Sequence, residues 1–384
     1  MSFDASNIVF FFGAGASAPF RIPTMKQFVV DFEKFLNENG TERENETYHD
    51  VKHVLTKQLD REIDLEDVFT VVDGCIHLDQ ERLGSLSLYL FPKFLKPILK
   101  RSDPTSFEFE LDDDTVKNFE TLVDKFQKFV REKCLIPPES FNDISKVYRD
   151  FFNRIEKEAT SISGSDRTKG NYRYNEKWAM FTTNYDICLE YYWREVVRVP
   201  LNTGFDFDRA RNAQVLKPDL FHVTFRPNEM RLLKLHGSIS WRVEEDGTVI
   251  EDTTRGESLM GRKYVGELMI YPIEQKELYV NPYISMFLDL NRELKNKSIW
   301  IIIGYSFNDP VIREIFIRNS DETKRIVLIH PHAKRVKEQR LGNIKCKEMF
   351  LLEQKFGEGD FRSLDYLLIQ KLKPNPSLQS SDEV

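Results

Sequence analysis

Short, wholly apolar runs alternate along this chain with longer stretches whose apolar residues recur every three or four positions. Ile8-Val9-Phe10-Phe11-Phe12, Trp178 to Thr182, Leu232 to Leu235, Ile299 to Ile303 and Ile326 to Ile329 show almost no polar alternation. Such runs predict strands buried on both faces, the signature of a parallel sheet. Pro23 and Thr24 open an amphipathic stretch through Phe28, Phe32 and Phe35 that predicts a helix. The polar stretch Asn37 to Asn45 is expected to end this opening unit. Val51, Val54, Leu55 and Leu59 then keep helical spacing, as do Leu65, Val68, Phe69 and Val72 behind Asp64, a candidate N-cap. Further helices are expected at 81–100, 114–134 and 140–160. Asp112 to Asp114 and Ser161 to Asn171 read as exposed connections. Asp246-Gly247, inside the polar stretch Arg242 to Tyr264, predicts a β-hairpin. The expected architecture is α/β, a parallel sheet flanked by helices. Residues 1–44 and 176–373 form it, a mainly helical insertion spans 45–175, and the Pro-, Ser- and acid-rich tail 374–384 is disordered.

Composition narrows the class. With 384 residues and 41% hydrophobic content the chain can bury a sizeable core. No apolar run approaches the roughly 20 residues that span a bilayer, and no signal-peptide pattern opens the sequence, so a cytoplasmic protein is expected. Cys75, Cys134, Cys188 and Cys346 are far apart and form no C-x-x-C pair, which suits buried thiols. A net charge of −7 argues against a nucleic-acid coat, and the basic stretch Lys334 to Lys347 reads as a solvated helix face.

Chemistry should gather beyond the carboxyl ends of the strands, where open α/β sheets bind ligands. Gly13-Ala14-Gly15-Ala16-Ser17 follows the first strand. Strand, glycine turn, helix is the order of a Rossmann-like dinucleotide site, in which glycines let the backbone approach a pyrophosphate near unpaired N–H groups. A plain tight turn is the alternative. Arg21 nearby is a phosphate or carboxamide contact, or a surface arginine. Thr182-Thr183-Asn184-Tyr185-Asp186 ends the second run in an amide and a carboxylate two residues apart, and Asn184 could equally cap a helix. Leu235-His236-Gly237-Ser238 places one histidine at a strand end, a base or a structural imidazole. Gly304-Tyr305-Ser306-Phe307-Asn308-Asp309 is a second glycine turn before a helix, and His330-Pro331-His332 follows the last run.

Gly-Ala-Gly-Ala-Ser, Thr-Thr-Asn-Tyr-Asp, Leu-His-Gly-Ser and Gly-Tyr-Ser-Phe, in this order, resemble the sirtuin-like NAD-binding proteins, specifically the divergent branch found in bacterial antiphage defence. The resemblance covers residues 7–40 and 176 to about 335. Asp64 to Phe69 also resembles part of that branch's helical insertion. It implies that Ala14, Gly15 and Ser17 hold the pyrophosphate of NAD, that Gly304 and Ser306 hold phosphate and the adenosine ribose, and that His330 lies at the adenosine end. It further implies that Asn184 positions a water at the nicotinamide ribose, that Asp186 recognises the carboxamide, and that His236 is a general base. The two C-x-x-C pairs of the sirtuin zinc module are missing, so no metal is expected and peptide deacylation is disfavoured. The implied activity is NAD hydrolysis to nicotinamide and ADP-ribose, with NAD as substrate. A non-hydrolysing NAD or ADP-ribose binding module and a protein ADP-ribosyltransferase or deacylase are the alternatives. Short members of the branch are homo-oligomers that work with a HerA-type ATPase, which the resemblance extends to this chain.

Overall fold

A computed structural model describes residues 7–58, 63, 65–76, 113–163, 178–217, 229–252, 264–269 and 283–358. Its strands, in chain order, are β1 (Ile8–Phe12), β2 (Ala179–Thr182), β3 (Leu201–Asn202), β4 (Phe205–Asp208), β5 (Ala213–Leu216), β6 (Met230–Lys234), β7 (Gly237–Glu244), β8 (Val249–Glu251), β9 (Tyr264–Met269), β10 (Ile299–Ile303), β11 (Arg325–Ile329) and β12 (Glu348–Leu352). The helices are α1 (Met25–Asn39), α2 (Glu42–Gln58), α3 (Leu65–Ile76), α4 (Asp113–Cys134), α5 (Phe141–Ser163), α6 (Cys188–Tyr191), α7 (Tyr283–Asn296), α8 (Pro310–Arg318) and α9 (Ala333–Arg340).

The apolar runs form a seven-stranded sheet in the order β12-β11-β10-β1-β2-β6-β3, and every pairing is parallel. The fold is therefore the α/β class that the runs predict. β1 explains their lack of alternation. Phe10 and Phe12 point to one side, against Phe152 of α5, which also stacks on Trp178, while Phe11 points to the other, against Tyr305 and Phe316 of α8. Both faces are covered, so no position on the strand favours a polar side chain. The order reverses at β1, from which the chain leaves toward β2 and to whose other side it returns as β10. Such a switch point is where an open α/β sheet leaves room for a ligand.

A five-stranded sheet, β4-β5-β8-β7-β9, accompanies the large one. Its β7–β8 hairpin turns at Asp246-Gly247, where Gly247 has φ +79 and the Asp246 carboxylate accepts the Thr248 amide. The sequence predicts this hairpin but not β3, β4, β5 or β12. β4 reads Phe-Asp-Phe-Asp and lies at the sheet edge, half exposed on both faces, so hydrophobic patterning carries little signal there.

Two compact units emerge, Met1–Ile22 with Ile136–Leu268 and Asn281–Val384, and Pro23–Leu135 with Met269–Val280. These units divide near 22/23 and 135/136, where the sequence places boundaries at 44/45 and 175/176. Helix α1 joins the helical unit because Phe28 and Phe32 pack on Phe129, and Phe32 also meets Phe69 and Phe126. Helix α5 joins the sheet unit through Phe151 and Phe152 on Phe10. Asn37 to Asn45 closes α1, turns at Gly40 and opens α2. Asp113 and Asp114 begin α4, and Ser161 to Ser163 still belong to α5. Asp64, residues 81–100 and the tail 374–384 lie outside the described residues.

Candidate functional site

Because the large sheet is parallel, β1, β2, β6, β10 and β11 all present their carboxyl ends at one edge. The sheet unit alone supplies the residues gathered there. The loop after β1 forms two successive 3-10 turns, Ala14–Ala16 and Ala18–Phe20, and the regular helix waits until Met25, where Gln27 Oε1 accepts the Thr24 amide at 3.0 Å. The amides of Gly13, Gly15, Ala16 and Ser17 donate to Ile303, Gly304, Gly13 and Ala14 carbonyls at 2.8, 2.9, 2.8 and 3.2 Å. The expectation of unpaired N–H groups at a helix N-terminus is thus corrected at these four positions: the loop spends them on its own turns and on the neighbouring loop.

The glycines serve that seam. A Cβ on Gly15 would lie 2.8 Å from the Gly304 Cα, and one on Gly304, which has φ +63, would lie 2.3 Å from the Ala16 nitrogen. Two backbones meet where neither tolerates a side chain. Sequence reading assigns each glycine turn to a ligand separately, yet each is first required by the other.

Asn184 is not a helix cap. Helix α6 begins four residues later, behind Ile187, while the Asn184 Nδ2 donates to Gly13 O at 3.0 Å and to Ser17 Oγ at 2.9 Å. These two acceptors fix the amide's orientation and leave its buried Oδ1 without a hydrogen-bond partner. Ser17 in turn is buried and also bonds the Tyr148 phenol of α5. Burial pushes the Tyr148 phenol well above the usual tyrosine range, aided by the nearby Cys188, Asp186 and Glu190, and keeps it protonated.

Asp186 carries the local cap. Its Oδ1 accepts the Cys188 amide at 3.0 Å, and burial together with Asp186 raises the Cys188 thiol well above its ordinary value. Behind it, the buried Lys234 of β6 donates to the Asp186 carbonyl and pairs with Glu190 at 2.9 Å. This pair ties β6 to the segment bearing Asn184 and Asp186. No local pattern marks it, since Lys234 closes β6 and its partners lie far back in the chain.

His236 follows β6 and is only 5% exposed. Its Nε2 lies 3.3 Å from Asp309 Oδ2. Asp309 caps α8, its Oδ1 accepting the Val311 and Ile312 amides at 2.8 and 3.1 Å. Burial works to raise the Asp309 carboxyl, but its hydrogen bond and electrostatic interaction with His236 and the two amides outweigh that and hold it below the usual aspartate value. In the sequence Asp309 closes the second glycine turn, where nothing marks a catalytic role for it. The Asp-Pro pair signals a cap, whereas the contact with His236 is set by topology.

Ser306 is half-buried in the turn that carries Asp309, next to Gly304 at the seam. His330 follows β11, and its Nδ1 accepts the His332 amide at 3.0 Å. Arg21 stands apart. Its side chain is 63% exposed and paired with Glu139. Ala14, Gly15, Ser17, Asn184 and Gly304 therefore form one bonded cluster, His236 joins the second glycine turn through Asp309, and Arg21 is not drawn in. Among the described residues no group of three or more His, Cys, Asp or Glu is placed to hold a metal ion, and no helix is long and apolar enough to cross a membrane.

Residues 179–350 match the family model described as a SIR2-like domain. The matched segment runs from β2 into β12 and contains Asn184, Asp186, His236, Gly304, Ser306, Asp309 and His330, while the loop Gly13 to Ser17 precedes it. Among solved structures, one described as "Structural Basis for the Mechanism and Regulation of Sir2 Enzymes" is 14% identical, with 95% of this chain and 92% of that chain covered and a TM-score of 0.38. No curated protein matches.

Proposed function

We propose that this protein is an NAD+ glycohydrolase, cleaving the bond between nicotinamide and ribose to give nicotinamide and ADP-ribose. The observation that carries the reading is the Asn184 amide, pinned through Nδ2 to Gly13 and Ser17 so that a buried Oδ1 is left unpartnered. A buried acceptor without a donor is costly, and a water or ribose hydroxyl would supply one. His236 provides a base just beyond β6, the strand beside β2, and the SIR2-like match makes NAD the substrate to test.

In this reading Ala14, Gly15, Ser17, Gly304 and Ser306 line the pyrophosphate and ribose end, His330 lies at the adenosine end, and Asp186 receives the carboxamide. The glycosidic bond breaks with its electron pair moving onto the nicotinamide nitrogen, which loses its positive charge, and leaves an oxocarbenium-like ribose. Water held by Asn184 Oδ1 adds to that carbon, and its proton passes to His236 directly or through a ribose hydroxyl. The pyridinium is already a good leaving group, so positioning supplies much of the acceleration and no metal step is invoked. Arg21, exposed and paired with Glu139, is assigned no step in this reading.

The motif resemblance extends the proposal to an NAD-depleting effector of antiphage defence, acting in the cytoplasm as a homo-oligomer with a HerA-type ATPase. Such an activity requires restraint until triggered, so assays include the partner ATPase as well as the chain alone. The fate of ADP-ribose separates the readings. Equal release of nicotinamide and free ADP-ribose supports hydrolysis, ADP-ribose attached to protein supports transfer, and NAD bound but intact with and without the partner supports a binding module and removes the hydrolase reading.

A further inference from the structure

His236 and Asp309 meet across the mouth of the sheet. β6 and β10 are separated by β1 and β2, about 14 Å between strand axes at ordinary spacing, yet the turn after β10 brings a carboxylate to the imidazole at 3.3 Å. The turn is held rigidly enough to do this. Phe307 adopts φ +58, a conformation that costs a non-glycine residue energy, and its buried ring packs on both Tyr305 and Phe316. Arg313 donates to the Phe307 carbonyl at 3.2 Å, and Pro310 with the Asp309 cap starts α8 at once. The two carboxylate oxygens are divided between tasks. Oδ1 is taken by the amides of Val311 and Ile312, which leaves Oδ2 facing Nε2.

We propose that Asp309 is a positioning residue that accepts the Nε2 proton of His236, thereby fixing the imidazole ring and its tautomer and leaving Nδ1 as the basic nitrogen. The inference rests on the reading of His236 as the base of NAD cleavage for its consequence, though not for its geometry. An ionised carboxylate has no proton to give, so Nε2 must carry one, and a neutral imidazole then has its lone pair on Nδ1. The hydrogen bonds and His236 contact that hold the Asp309 carboxyl below its usual range keep it in that acceptor form.

Asp309→Asn separates this role from capping. Asparagine caps a helix as well as aspartate does, and its Oδ1 can keep the Val311 and Ile312 amides, but its Nδ2 then faces His236 as a donor and favours the opposite tautomer. The tautomer is read directly by nitrogen NMR of the full chain labelled at histidine, with the His236 signals assigned by their loss in His236→Gln. The wild type is expected to show the Nε2–H form and Asp309→Asn the Nδ1–H form. Nicotinamide release by Asp309→Asn should fall by roughly 10²- to 10⁴-fold, the usual worth of a general base, with NAD affinity and thermal midpoint close to wild type. Asp309→Ser, which caps but is too short to reach His236, should give mixed tautomers and an intermediate rate. An Nδ1–H form in the wild type overturns the proposal, as does wild-type release by Asp309→Asn where His236→Ala is inactive. Absence of release from wild type and variants alike defeats the hydrolase reading instead, and the NMR result still decides the role of Asp309.

Discussion

Gly304 is held at φ +63 with the Gly15–Ala16 backbone 2.3–2.6 Å from where a Cβ would stand. Gly304→Ala should therefore cost at least about 1–3 kcal/mol from the conformation alone, with a further cost from parting the seam with Gly15 and Ala16. Chemical denaturation reads this directly, and a variant as stable as wild type would contradict the seam. His330 makes a different prediction. Burial and the neighbouring His332 lower its pKa from the ordinary value of 6.5. The unfolded chain then binds a proton at higher pH than the folded one, so its contribution is intact above about pH 6.5 and stability is lost as pH falls through the lowered folded value. Unfolding measured between pH 7.5 and 5 should show this slope, and His330→Asn should flatten it. Single residues were legible where the role is local. Asn184 and His236 stand at strand ends that the sequence marks plainly, but the Asn184 bonds to Gly13 and Ser17 and the Asp309 contact join residues far apart in the chain, and no local pattern encodes them.

At the level of elements, β1 and α5 share an aromatic layer in which Phe152 touches Phe10, Phe12, Trp178, Tyr192 and Trp193. Phe152→Ala should destabilise the sheet unit by about 3–5 kcal/mol, since so large a side chain leaves a cavity the layer cannot fill. The Lys234–Glu190 pair behaves otherwise. Lys234→Met leaves a buried carboxylate unpaired and should also cost about 3–5 kcal/mol, whereas Lys234→Met with Glu190→Met should recover much of it. Additive losses in the double variant would show that the pair does not couple β6 to α6. The buried strands were readable because both faces of each are covered and the pattern is a plain apolar run. The second sheet was readable only at its Asp246-Gly247 hairpin, because its edge strand β4 alternates phenylalanine and aspartate with neither face buried. Helix α1 was readable as a helix but not as part of the helical unit, because its partners Phe69, Phe126 and Phe129 lie far along the chain.

For the whole molecule, the reading joins one edge of a parallel sheet to a single small-molecule substrate. A ligand that binds only the folded state raises its stability in step with concentration, by about 2.7 kcal/mol at a hundredfold excess over Kd. NAD should therefore raise the thermal midpoint of His236→Ala, which binds without consuming it, and unchanged melting at millimolar NAD would place the site elsewhere. The most direct test of the central claim compares wild type with Asn184→Ala at saturating NAD, with the partner ATPase present and absent, by measuring nicotinamide released per chain. Release by wild type in at least one of these conditions, and none above background by a folded, NAD-binding Asn184→Ala in the same condition, is the predicted result. Equal release by the two proteins, or none by wild type while NAD is bound, contradicts it.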